Sequence, residues 1–363
     1  MVIDRALSTH PQILAKQKAI NEARGLIRQA GLRPNPSVQF SAGSSSILGE
    51  PGDREWSAEY VHTFELGSKR QKRLSIAEIG LMIAKLQLQD QKRQLAFEIK
   101  KQFADIVSTR LILEATTRSV DLHRRLHEFT VAKVNEGEAA AVEKSLSQIE
   151  LSRLELESAT LKADLAGSIS KLQLATGLKS DESISDQLEQ TVGFDKTDVQ
   201  ETIETAKKKN PQLQISNLEL LQAGASLELT KAEAIPDLNT FLQYSNETSK
   251  FDAFGLDNNG NSIPLEDRDQ IISAGISFNL PFNRNQGNTS AAVERLEQAK
   301  IQNEFLQRSI EQEITIAFRK VQVAQEAFKT YRDSITKQSE NQVEIMRVSF
   351  EAGELRFLDW LNE

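Results

Sequence analysis

One switch of periodicity, made twice, restricts this chain more than any other feature. In VHTFELGSKRQKRLSIAEI (residues 61–79) the apolar residues alternate up to Leu66, then fall three and four apart beyond Arg70. Alternation marks a strand with one apolar face, and spacing of three and four marks a helix. ISFNLPFNRNQGNTSAAVE (residues 276–294) makes the same switch. Each time, a strand runs directly into a helix.

The two switches belong to two copies of one unit. HPQILAKQKAI places Pro11 and NPQLQISNLEL places Pro211, 200 residues apart, and Pro36 of RPNPSVQF and Pro236 of AIPDLNTF keep that offset. Phe64 and Arg70 match Phe278 and Arg284 at an offset of 214, and Gly137 of VNEGEA matches Gly353 of FEAGEL at 216. Order and spacing thus agree at five landmarks, with a connection about 14 residues longer in the second copy. The chain divides into a first repeat at 1–177, a polar connector at 178–200 and a second repeat at 201–363.

Within each copy, proline suits a helix first turn, because the missing N–H would have no helical partner there. A helix of about 20 residues follows, ended by Pro36 or Pro236. Val38, Phe40 and Ala42 then alternate with polar neighbours, GSSSILGEPGD turns the chain, and a return strand puts Trp56, Ala58, Tyr60, His62, Phe64 and Leu66 on one face. The second return strand sets Ile272, Ala274, Ile276, Phe278 and Leu280 against Ser273, Gly275, Ser277 and Asn279. A helix then runs from about Ser68 to Lys133 with no proline and one interior glycine, Gly80. At ~1.5 Å per residue it would span roughly 100 Å. Ile99, Phe103, Ile106, Leu113 and Val120 give it a narrow coiled-coil stripe. Beyond Gly137 a second helix runs back on Leu161, Leu165, Ile169 and Leu172, and Gly177 in LATGLKSDES is its stop signal.

Composition closes off several functions. The net charge of −8 argues against a nucleic-acid surface. Zero cysteines remove disulfides, thiolate metal sites and thiol nucleophiles together. No run approaches the ~18 apolar residues of a membrane helix, a test that a β-barrel escapes because its strands need only about 9–11 alternating residues. No phosphate loop, GxSxG or HExxH occurs, and four scattered histidines form no triad, so the chain reads as a non-enzyme with no cofactor.

Four strands cannot bury a core as an isolated sheet, and helices this long with thin stripes do not pack into a compact monomer. Both difficulties vanish if several copies assemble around an axis, with hairpins closing one barrel and helices walling a tube. The face carrying Trp56, Tyr60, Phe64, Ile272, Ile276 and Phe278 would then meet lipid and the polar face water. A soluble β-sandwich with helical arms is the competing arrangement on pattern alone.

These residues resemble the TolC-type outer-membrane efflux channels over essentially the whole chain. The resemblance rests on the NP helix starts, the PNP strand start, the FELGSKR join and the EGEA and AGEL tips. The FELGSKR form is most similar to the branch serving cobalt–zinc–cadmium and other heavy-metal pumps. The resemblance implies a mainly α fold with β: long antiparallel α-helical hairpins forming an α-barrel, and four strands per protomer contributing to a trimeric twelve-stranded transmembrane β-barrel. It implies a passive channel in the outer membrane of a Gram-negative bacterium, its helical part in the periplasm. The implied partners are a homotrimer, outer-membrane lipid, a periplasmic adaptor and an inner-membrane pump of the resistance-nodulation-division class. A soluble coiled-coil scaffold, an adaptor, or a channel for drugs or type I protein secretion are the alternatives.

Gly67, Lys69 and Arg70, with Pro281 and Arg284 in the second copy, would mark the barrel-to-helix junction, with Lys69 and Arg70 near the membrane boundary. On residue pattern alone, such a basic run is a solvated face. Gly137, Glu138, Ala139, Gly353, Glu354 and Leu355 are helical-hairpin turns, which the resemblance makes adaptor-docking tips. It makes Asp359 an aperture carboxylate, while Asn362 stands where a second aperture acid is expected. His123 and His127 have the i,i+4 spacing of a metal-binding pair but no evident third ligand, and a solvated pair is the plainer reading. No signal peptide is visible in this sequence, and ten residues follow Gly353 where about 40 follow Gly137. On that comparison the sequence reads as a fragment truncated at both ends and lacking a returning helix, with trimerisation expected to suffer.

Overall fold

The computed structural model describes residues 2–45, 53–177, 198–282 and 285–352. They form two compact units, and each unit draws on both repeats. One comprises Met1–Gln17, Gln87–Pro211 and Leu306–Glu363, the other Lys18–Leu86 and Gln212–Phe305.

The helices are α1 (Val2–Thr9), α2 (Pro11–Ala30), α3 (Lys69–Glu136), α4 (Ala141–Thr176), α5 (Val199–Lys209), α6 (Pro211–Glu233), α7 (Gln286–Thr330) and α8 (Thr336–Glu351). A π-helical turn, Tyr331–Ile335, joins the last two. Pro11 and Pro211 open α2 and α6 as the pattern requires. α2 ends at Ala30, short of Pro34 and Pro36, since the residue before a proline avoids helical dihedrals.

In the first unit, α3 and α4 form an antiparallel pair. Ile99 and Ile106 are buried with Leu95, Leu172, Ala6 and Ile13, while Phe103, Leu165 and Ile169 pack around them. Val120 meets Leu151 and Leu154 further along, and Leu126 meets Leu122, Phe129 and Leu146. The stripe read from the sequence is this seam. Thr130 and Thr176 are buried in it without loss, because their hydroxyls donate to the Leu126 and Leu172 carbonyls at 2.8 and 2.7 Å.

The second unit holds one four-stranded antiparallel sheet of β1 (Ser37–Ser44), β2 (Arg54–Phe64), β3 (Leu238–Leu256) and β4 (Ser262–Phe278), in that spatial order. The two hairpins lie edge to edge in a single layer, joined where Trp56 faces Asn246 and Tyr60 faces Leu242. The strands end at Phe64 and Phe278, so Leu66 and Leu280 belong to the junctions rather than to the alternating faces. The extra residues of the second copy lengthen its hairpin: β3 and β4 run 19 and 17 residues against 8 and 11 for β1 and β2. Below the sheet, Asn303 of α7 is buried and donates to Ser216 Oγ and Asn217 Oδ1 of α6 at 3.0 and 2.8 Å.

Candidate functional site

The register sorts the sheet into two chemically opposite faces. Cross-strand partners share a face, so Val38–Tyr60–Leu242–Ala274 forms one row and Phe40–Ala58–Tyr244–Ile272 the next. Trp56, Tyr60, Phe64, Ile272, Ile276 and Phe278 all fall on this face, 45% to 74% exposed. The Trp56 and Tyr244 rings meet diagonally across β2 and β3 with centroids 5.2 Å apart. The opposite face is mainly polar, with Val61, Phe241 and Ile271 as its apolar members. Ser41 and Ser57 share a hydroxyl hydrogen bond of 2.7 Å, and the Thr63 hydroxyl donates to Asn239 at 2.7 Å. Glu55, Glu247 and Asp269 stand side by side in one row of that face across three strands. Like charges opposite one another weaken a sheet, so this row is not explained by folding. Its members are far apart in sequence, and only the register of β2 on β3 shows it.

At the first junction the chain leaves the sheet through two residues with left-handed backbone, Gly67 at φ 69° and Ser68 at φ 57°. Of the basic cluster only Lys69 is buried; Arg70 stays exposed, and both it and Arg73 are hydrogen-bonded back to the fold. Lys69 is 8% exposed, and its ammonium donates to Asp237 Oδ1 at 2.7 Å, the atom that also accepts the Leu66 N–H at 3.0 Å. Arg70 donates to the Gly31 carbonyl at 2.6 Å, and Arg73 binds Glu65 through both terminal nitrogens. The Glu65 carboxylate therefore raises the Arg73 pKa further. Asp237, the partner that makes Lys69 a clamp, carries no local sequence signal.

The second junction reaches its helix by other means. Pro281 sits in a γ-turn closed by the Phe282 N–H on the Leu280 carbonyl at 2.9 Å, and Asn285 at φ 55° precedes α7. α7 begins eight residues after Phe278, where α3 begins five after Phe64. Matching Pro281 to Gly67 by offset therefore does not match the helix starts. Arg284 lies outside the described residues.

At the α3–α4 turn, Gly137 adopts φ 81°. Its N–H reaches the Val134 carbonyl at 3.2 Å and the Glu138 N–H reaches the Lys133 carbonyl at 2.9 Å, a Schellman stop. Glu138 and Ala139 complete the turn into α4. Gly353, Glu354, Leu355 and Asp359 lie outside the described residues.

His127 occupies the heptad position after Val120 and shares a 2.8 Å hydrogen bond with Ser147 of α4. Burial lowers the His123 pKa, helped by the Arg153 charge and opposed by Glu150. Among the described residues no three His, Asp or Glu side chains group as metal ligands.

The outer membrane efflux protein family model matches residues 2–178 and 202–362. The chain is 22% identical to the cobalt-zinc-cadmium resistance protein CzcC of Cupriavidus metallidurans, over 98% of this chain and 80% of that protein. Its fold is similar to that of the outer membrane protein VceC of Vibrio cholerae, with TM-score 0.75 and 16% identity over 99% of this chain and 87% of the other. The Campylobacter jejuni CmeC outer membrane channel matches with TM-score 0.71 and 14% identity over 99% and 78% of the two chains. With its two-faced sheet, long helical hairpins and family match over both repeats, the chain belongs to the outer membrane efflux protein family and is the outer-membrane channel component of a tripartite efflux system.

Proposed function

We propose that three copies share their sheets in one twelve-stranded barrel and conduct heavy-metal cations passively out of the periplasm. The observation that carries this reading is the register: it gathers most of the large apolar residues of all four strands on one face and leaves the other mainly polar. A lipid-embedded barrel requires that segregation, and β1 and β4 are left as edges for neighbouring copies. The Glu55–Glu247–Asp269 row, repeated three times on the inner wall, favours cations over anions. The resemblance to CzcC points to cobalt, zinc and cadmium as cargo.

Gly137, Glu138 and Ala139, with Gly353, Glu354 and Leu355, are proposed as the tips that receive a periplasmic adaptor. Asp359 is proposed to line the aperture, and the pump is proposed to be of the resistance-nodulation-division class. Deleting the gene should lower the cobalt, zinc or cadmium concentration the cells tolerate, with restoration from a plasmid copy. Unchanged tolerance to all three metals would remove the metal assignment.

A further inference from the structure

The second hairpin is too long for the barrel that the first one defines. Among the described residues β2 pairs with β3 no further than Arg54 on Thr248, with Asp53 accepting the Lys250 N–H just beyond at 2.8 Å, yet β3 continues to Leu256 and β4 pairs with it out to Ser262. β2, at 11 residues, has the length of a membrane-spanning strand. The six β4 residues 262–267 beyond Arg268 therefore carry the ribbon roughly 20 Å past the end of β2 at ~3.3 Å per residue.

This overhang changes character as it leaves the sheet. Along β4 the polar face reads Ser277, Gly275, Ser273, Ile271, Asp269 and Asp267, and the same face then presents Leu265 and Ile263, each 45% exposed. On β3 the overhang exposes Phe254 and Leu256 at 73% and 76%. Past the end of a strand already long enough to span a bilayer, apolar groups on both faces call for a cover other than lipid. At the base of the overhang the register shifts. Lys250 pairs with Glu266 but Phe254 with Pro264, so residues 251–253 stand against Leu265 alone. A bulge of this kind bends a ribbon away from the line of its sheet.

We infer that the three β3–β4 overhangs of the assembled channel lean inward and cover one another, closing the outer mouth with Leu265 and Ile263. The inference rests on the trimeric barrel proposed above. Twelve strands spaced ~4.8 Å apart and tilted about 45° give a circumference of roughly 80 Å and a radius of about 13 Å. An overhang of roughly 20 Å reaches that axis. The occupant of each apolar ribbon is thus the same ribbon of the neighbouring copies, brought together by symmetry, and the contact forms a water-excluding gate.

The absence of cysteine makes the test direct. Ser245→Cys, on the polar face below the overhang, is probed in whole cells with a maleimide on a polyethylene glycol chain too large for general porins. Labelling should be at least about tenfold slower with the overhang intact than when Asn-Gly replaces residues 251–265. The paired change Ile263→Ser with Leu265→Ser should speed it in the same direction. In a separate variant, oxidation of Leu265→Cys should join protomers by disulfides. Equal labelling rates and no cross-link in a protein that still runs as a heat-dissociable trimer would overturn the gate, leaving lipid or an external partner as the cover. Loss of the trimer in the unaltered protein would remove the barrel and the gate together.

Discussion

The ammonium of Lys69 sits 2.7 Å from the carboxylate of Asp237, joining the end of the first hairpin to the start of the second across 168 residues of sequence. Lys69 is nearly buried and Asp237 about one-third exposed, so the pair is only partly screened. Removing one partner strands a buried charge. Asp237→Asn should lower unfolding stability by about 2–3 kcal/mol. The double change Lys69→Met with Asp237→Leu should recover part of that loss, measured as the dissociation temperature of the detergent-solubilised protein. Equal losses in the single and double variants would mean the charges do not act as a pair.

Gly67 and Gly25 should respond to alanine in opposite directions. A Cβ on Gly67 would lie 2.9 Å from Ile235 Cδ1 and 3.3 Å from the Ala232 carbonyl, on a backbone at φ 69°. That substitution should cost about 1–3 kcal/mol. Gly25 lies inside α2 with nothing within 4 Å of a new Cβ, and its replacement should stabilise by about 0.5–1 kcal/mol. Chemical denaturation of the two variants beside the parent reads both signs.

The α3–α4 seam should weaken with acid in two steps. His123 holds a pKa below its ordinary 6.5 because burial disfavours the imidazolium, so the unfolded chain takes up the proton first. Its contribution is complete above pH 6.5 and is lost as the pH falls through the lower folded value. Glu150, hydrogen-bonded by Arg153, also has a lowered pKa, and its contribution fades only below 4.5. Melting temperatures between pH 7.5 and 5.5 should therefore fall in the parent and stay flatter in His123→Gln.

The adaptor docking proposed at the Gly137 turn can be tested apart from its folding role. A Cβ there meets nothing within 4 Å, so the penalty for a side chain comes from φ 81° alone. Gly137→Ala should cost about 1 kcal/mol and leave efflux intact. Gly137→Trp should abolish metal tolerance while outer-membrane levels of the protein stay normal. Retained tolerance in Gly137→Trp would argue against adaptor contact at this tip.

What the sequence revealed follows the range of the interactions involved. The alternation of Trp56, Tyr60 and Phe64 and the heptads of Ile99, Ile106 and Val120 are local, and both became the faces and seam read from them. The Pro11 and Pro211 starts and the Gly177 stop are local as well. Lys69 appeared as part of a solvated basic run because Asp237, its partner, sits in the other repeat. The carboxylate row of Glu55, Glu247 and Asp269 was hidden for the same reason: pairing of β2 with β3 cannot be deduced from either strand alone. The three-residue difference between junctions escaped an offset comparison because Pro281 and Asn285 turn the chain by a different route from Gly67 and Ser68. The π turn at Tyr331–Ile335 carries no proline or glycine to announce it.

Nitroxide labels on single introduced cysteines test the apolar face of the sheet most directly, in the outer membrane or in liposomes. Labels at 60, 242 and 272 should collide with oxygen dissolved in lipid, and labels at 59, 243 and 273 with a water-soluble nickel chelate, alternating residue by residue along each strand. Uniform access to the chelate on both faces, with no alternation, would contradict a lipid-embedded barrel.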